Sequence, residues 1–153
     1  MPENHNDFIG LRRSIYHLDS QINLSKAEIE SLITHALKEA PSAFNSQSGR
    51  LVVLLQNAHK RFWTKTLHEL KAVAPQNTHA SLEEKISSFA KAYGTILFFE
   101  DESVVTELQT TYPLYKDKFP DWSQQANGML QFAIWSLFAQ NQIGASLQHY
   151  SPL

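Results

Sequence analysis

The chain has 153 residues, 42% of them hydrophobic, 18% charged and 11% aromatic, with 13 basic and 15 acidic side chains. This composition excludes a disordered tail, a collagen-like fibre and a low-complexity linker, and the length suits one domain, or one lobe of a larger assembly, with a real core. A formal charge of −2 gives no field for a nucleic acid, and zero cysteines exclude disulfides, thiolate nucleophiles and Cys-based metal sites.

Helix signals dominate the first third. Asn6 or Asp7 is positioned to cap a short helix running towards Arg13. Ser25-Lys-Ala-Glu28 has the capping-box pattern, and Ile29, Leu32, Ile33, Ala36 and Leu37 behind it recur at helical spacing. Pro41 ends that helix, because it disfavours helical geometry at Ala40. Residues 41–49 then read as a polar loop with one aromatic, Phe44. The apolar run 50–55 predicts a strand covered on both faces. A helix over 58–73 follows, closed by Pro75, then one over 82–92 stopped by Gly94, and a second buried strand over 95–99. Asp101 and Ser103 open another helix, and 110–119 is a loop containing Pro113.

The long element after Pro120-Asp121 is the clearest, with Gln124 placed as the partner in a capping box. Trp122, Ala126, Met129, Leu130, Ala133, Ile134, Leu137 and Phe138 follow a 3.6 period, while Phe132 and Trp135 fall off that stripe. The middle of this helix is therefore apolar nearly all round, as in a central helix or one covered by a second subunit. Gly144 is the expected stop, and 147–150 is a third strand candidate. The pattern is that of a single domain over 1–153 whose sheet breaks off before completion. The polar start and the short apolar runs 96–99 and 132–139 point to a cytoplasmic protein without a membrane partner.

Three segments carry chemistry. Arg12-Arg13-Ser14 pairs two guanidinium forks with a hydroxyl, a set suited to phosphate. Ser42, Asn45, Ser46, Gln47 and Ser48 supply donors and acceptors for the edges of a polar heterocycle, and Phe44 can stack on a planar ligand. Gly144-Ala-Ser-Leu-Gln-His149 gives a small-residue approach followed by Gln and His. Taken singly, each also reads as a solvated helix end, a turn and a helix exit. The other histidines are scattered without metal-ligand spacing, so no metal site is expected; His59 and the rest read as surface or core-satisfied groups. No GxSxG, GxxxxGK[ST] or GxGxxG pattern occurs. Lys60, Arg61, Phe62, Trp63 and Lys65 point in several directions on a helix and read as a solvated face with a core aromatic.

Together, in this order, Arg12-Arg13-Ser14-Ile-Tyr16, "PSAFNSQ" at 41–47 and "GASLQHY" at 144–150 resemble the nitroreductase family of small flavin oxidoreductases, across essentially the whole chain. The resemblance implies an α+β fold, a mixed sheet flanked by helices with a long central helix, without the C-terminal segment that family members carry after "QHY". It implies a homodimer with FMN at the subunit interface and a ping-pong transfer of electrons from NAD(P)H to quinones, nitroaromatics or another small planar electron acceptor. By position, Arg12, Arg13 and Ser14 would hold the FMN phosphate, ribityl and pyrimidine end. Ser42, Ala43, Phe44, Asn45 and Gln47 would line the isoalloxazine, partly from the other subunit, and Ala145, Ser146, Leu147, Gln148 and His149 would contact the ring near its reactive centre. Chemistry resting on the cofactor requires no catalytic side chain of the protein's own. The competing expectation is a non-catalytic helical module that dimerises through the Phe132/Trp135 region and holds flavin without turnover.

Overall fold

A computed structural model of the chain describes residues 7–150. In chain order the elements are α1 (Asp7–Leu11), α2 (Lys26–Glu39), β1 (Gly49–Leu55), α3 (Gln56–Val73), α4 (His79–Ala90), β2 (Gly94–Glu100), α5 (Glu102–Thr111) and α6 (Phe119–Gln140). Short 3-10 turns occupy Ala43–Asn45, Gln76–Thr78 and Pro113–Lys118. The result is a helix-dominated α+β fold with a small sheet and one long helix.

Local chemistry sets most helix ends. The Ser25 N–H donates to Glu28 Oε2 at 2.7 Å and the Glu28 N–H donates back to Ser25 Oγ at 3.3 Å, so the capping box of α2 forms. Ala40 is extended (φ −65°, ψ 125°) ahead of Pro41, and the helix stops there. Asp101 caps α5 by accepting from the Ser103 N–H at 3.1 Å. Asp7 is the first residue of α1, and Asn6, the other cap candidate, lies outside the described residues.

The long helix departs from expectation at both ends. It begins at Phe119, with Pro120 in its first turn, so Asp121 lies inside the helix and is not its cap. Proline suits that position because its missing N–H would have no helical partner. At the other end Gln142 takes the left-handed conformation (φ 61°); its N–H donates to Ala139 O at 3.1 Å and the Ile143 N–H to Phe138 O at 2.9 Å. This is a Schellman stop with glutamine where glycine is usual, two residues before the glycine expected to serve. Gly144 has another reason to be small: a Cβ there would lie 3.2 Å from the side chains of Ile15 and Leu18.

Strands β1 and β2 pair, the two named strands among the described residues. Asp101 N–H donates to Ser48 O at 2.9 Å at one end, and at the other a Cβ on Gly94 would meet Leu54 O at 2.8 Å, so the strands run antiparallel. Neither is covered on both faces as the apolar runs suggested: Val52 is 44% and Phe99 45% exposed. The third strand expected over 147–150 does not form. A single parallel bridge joins Ser14 to Ala145, and the irregular chain around Ser14 gives the ladder nowhere to propagate.

Two compact units result. The first takes the chain up to Arg12, Leu24–Val52 and Leu97–Ile143. Here α2 packs on α6, with Ile29, Ile33 and Ala36 buried on one helix and Phe119, Ala126, Leu130 and Ile134 on the other. The buried line of α6 also includes Ser123 and Asn127, which the apolar pattern passed over. The second unit takes Arg13–Asn23, Val53–Ile96 and the chain from Gly144 on. It packs α3 on α4 around Trp63, Ile86 and Phe89, with Leu67, Leu82 and Tyr150 against them. No helix among the described residues is long and apolar enough to cross a membrane.

Candidate functional site

In the first unit the loop between α2 and β1 has an unusual backbone. Phe44 (φ 54°), Asn45 (φ 50°) and Gln47 (φ 49°) all sit in the left-handed region, which costs any residue with a Cβ. Specific hydrogen bonds hold them. Ser42 O accepts from the Asn45 N–H at 3.0 Å, Ser42 Oγ from the Gln47 N–H at 3.0 Å, and Gln47 O from Arg50 Nη1 at 2.8 Å. Arg50 in turn pairs with Asp101 at 3.0 Å. The Ser103 hydroxyl first, then its N–H and Arg50, keep the Asp101 carboxyl below the usual range.

The turn pushes Phe44 outward. The residue is 47% exposed, yet its ring rests against Tyr112, Tyr115, Phe119 and Trp122 at centroid distances of 4.8, 5.7, 5.3 and 5.9 Å. Ser42 and Ala43 are half-buried, while Asn45 and Gln47 are exposed. Arg12 belongs to this unit too, and its guanidinium lies 4.3 Å from the centroid of the Trp135 ring, a cation–π contact that restrains the side chain.

Directly after the loop, Ser48 is 1% exposed and its hydroxyl donates to Glu100 Oε2 at 2.5 Å. Glu100 Oε1 accepts from Asn127 Nδ2 at 2.8 Å, and Asn127 Oδ1 accepts from Gln131 Nε2. Sequence reasoning missed this network. Its one local signal was Asn127 interrupting the apolar stripe of α6.

The second unit brings two of the other segments together. The Ser14–Ala145 bridge, with Ile15 N–H donating to Ala145 O at 3.0 Å, sets Arg13-Ser14 beside the start of the 145–149 run. Arg13, Ser14, Leu147 and His149 are exposed; Ala145, Ser146 and Gln148 are half-buried, and Gln148 Nε2 donates to Ser146 Oγ at 3.3 Å. Tyr150 ends the run in the core, its ring 5.8 Å from Trp63.

That core holds a buried histidine, 2% exposed. His59 Nε2 lies 3.2 Å from Ala90 O, which can only accept, so Nε2 carries the proton and Nδ1 accepts from Thr95 Oγ1 at 2.8 Å. Trp63 Nε1 donates to the same Thr95 oxygen at 2.9 Å. Burial lowers the His59 pKa, partly offset by the Ala90 carbonyl, and the ring is a satisfied core group. A shallow groove of about 680 Å³ runs along α3, lined by Asn57, Lys60, Arg61, Thr64, Lys65 and His68, and includes none of the candidate site residues.

The profile of the nitroreductase family matches residues 9–152. Nitroreductase FRM2 of Saccharomyces cerevisiae is 32% identical over 143 residues, covering 92% of this chain and 70% of the yeast protein. The structure is similar to that of nitroreductase CinD from Lactococcus lactis in complex with chloramphenicol, with a TM-score of 0.85 and 39% identity over 97% of this chain and 75% of CinD. A protein of Exiguobacterium sibiricum solved in complex with FMN shares the fold alone, with a TM-score of 0.58 and 17% identity over 90% of this chain and 70% of its own. The chain belongs to the nitroreductase family.

Proposed function

We propose that the protein is an FMN-dependent oxidoreductase, working as a homodimer, that carries electrons from NAD(P)H to quinones, nitroaromatics or similar small planar acceptors by a ping-pong sequence. The observation that carries this reading is the Ser14–Ala145 bridge, which joins a phosphate-suited segment to a polar run about 130 residues away. The chemistry of the donor set fits FMN. Arg12, Arg13 and Ser14 supply cationic and hydroxyl donors for a phosphate, and none of the candidate residues is acidic. The amides of Asn45, Gln47 and Gln148 both donate and accept, as the pyrimidine edge of a flavin requires.

Bound FMN would supply the two-electron exchange between donor and acceptor. The chain's own residues bind and orient. Arg12, placed by Trp135, and Arg13 with Ser14 would hold the phosphate, ribityl and pyrimidine end. Ser42, Ala43, Phe44, Asn45 and Gln47 on the left-handed turn would line the isoalloxazine, partly that of the partner copy, with exposed Phe44 placed for stacking. Ala145, small enough for close approach, with Ser146, Leu147, Gln148 and His149, would contact the ring near its reactive centre. Exposed Met129 (44%) and Phe132 (39%) on α6 favour cover by a second copy.

Purified protein should be yellow, release up to one FMN per chain on denaturation, bleach with NAD(P)H and recover colour with a quinone. Colourless, folded protein that ignores added FMN would overturn the reading.

A further inference from the structure

We infer that Glu100, at the end of β2, is a positioning residue that holds the 42–47 loop in its strained backbone and so prepares it for the flavin. The inference rests on the proposed function. Left-handed geometry at Phe44, Asn45 and Gln47 persists only where the surroundings over-determine it. The exit of the loop is fixed several times over, and two consecutive acids do the fixing. Asp101 anchors the Ser48 carbonyl through its own N–H and steers Arg50 onto Gln47 O. Glu100 takes the Ser48 hydroxyl on one carboxylate oxygen and Asn127 of α6 on the other.

Asn127 is 7% exposed on the buried line of α6, between Ala126 and Leu130. For packing alone an apolar residue would serve better there, since partly buried carboxylates and amides are costly to desolvate. The polar set Ser48–Glu100–Asn127–Gln131 has a use that packing lacks: it ties Ser48 to a strand and a helix at a fixed height. Gln47, one residue earlier, is held at its N–H by Ser42 and at its carbonyl by Arg50, and the fixed Ser48 closes the turn behind it.

The experiment compares wild type, Glu100→Ala, Glu100→Gln and Ile86→Ala. Two quantities are read for each: FMN affinity, and amide hydrogen exchange over 43–47 without FMN. Glu100→Ala strands the Ser48 hydroxyl and the Asn127 amide; exchange should quicken and FMN should bind more weakly, each by about tenfold or more. The side-chain amide introduced by Glu100→Gln still accepts from Asn127 and can serve the Ser48 hydroxyl, so this variant should rescue both readings to within about threefold of wild type. Ile86→Ala lowers stability through the other core and should alter neither. Unchanged loop exchange in Glu100→Ala overturns the inference, as does an equal loosening in Ile86→Ala. If wild type ignores FMN while Glu100→Ala still loosens the loop, the flavin reading falls and the brace stands.

Discussion

In the 42–47 loop three residues with side chains take left-handed geometry, and side chains hold them there: Ser42, Arg50 with Asp101, and Ser48 with Glu100. The 144–149 run has no left-handed residue and is held through its backbone, by the Ala145 pairing with Ser14 and Ile15 and by the close packing of Gly144. The first region is therefore vulnerable to deleted side chains and the second to added bulk. One region is held by over-determined strain and the other by a smooth, small-residue approach.

The largest effect expected falls on the segment leading into the second region. If Arg12 holds the FMN phosphate, Arg12→Ala removes a charge-assisted contact worth roughly 1.5–3 kcal/mol, so FMN should bind about ten- to a hundredfold more weakly in a fluorescence titration. Unchanged affinity would return Arg12 to a purely structural role on Trp135. Gly144→Val tests the second region directly. Its added methyls meet Ile15 and Leu18 and should cost about 1–3 kcal/mol in urea unfolding, with FMN affinity falling as Ala145 is displaced. A neutral result would show that the approach is not tight.

Gln47→Gly sharpens the comparison from the other side. Glycine relieves the left-handed strain but loosens the unfolded chain, so stability should stay within about 1 kcal/mol of wild type while FMN affinity drops with the lost amide. A large loss of stability would mean that the Gln47 side chain packs and does not bind. The mildest perturbation is acid. His59 has its folded pKa below the ordinary value of 6.5, so below that pH the unfolded chain binds a proton the native core refuses. Its contribution to stability should be complete above about pH 6.5 and fade as pH falls towards the lowered folded value. Replacing His59 with glutamine should flatten that part of the stability–pH curve, and an unchanged curve would show that another group sets it.

Much of this was legible in the sequence where the deciding contact is local. Ser25 and Glu28 are three residues apart, and their box forms; Pro41 acts on its neighbour Ala40; the strand runs at 50–55 and 95–99 fall within β1 and β2. What escaped depended on distant partners. Pattern alone could not move the stop of α6 from Gly144 to Gln142, because the small residue at 144 answers to Ile15 and Leu18. Nor could it show that the third strand would shrink to one bridge at Ala145. Ser123 and Asn127 look like interruptions of an apolar stripe until Glu100, 27 residues before Asn127, supplies the latter's partner. The residue types of the candidate site were readable as a motif, but the left-handed turn was not, since neither Phe44 nor Gln47 favours it by itself.

Hydrogen exchange with and without FMN gives the most direct test of the flavin reading of each region. The expected result is added protection over 42–47 and over 144–149 on FMN addition, with none along the basic face of α3 at Lys60, Arg61 and Lys65. Protection confined to one of the two regions, or centred on α3, would contradict it.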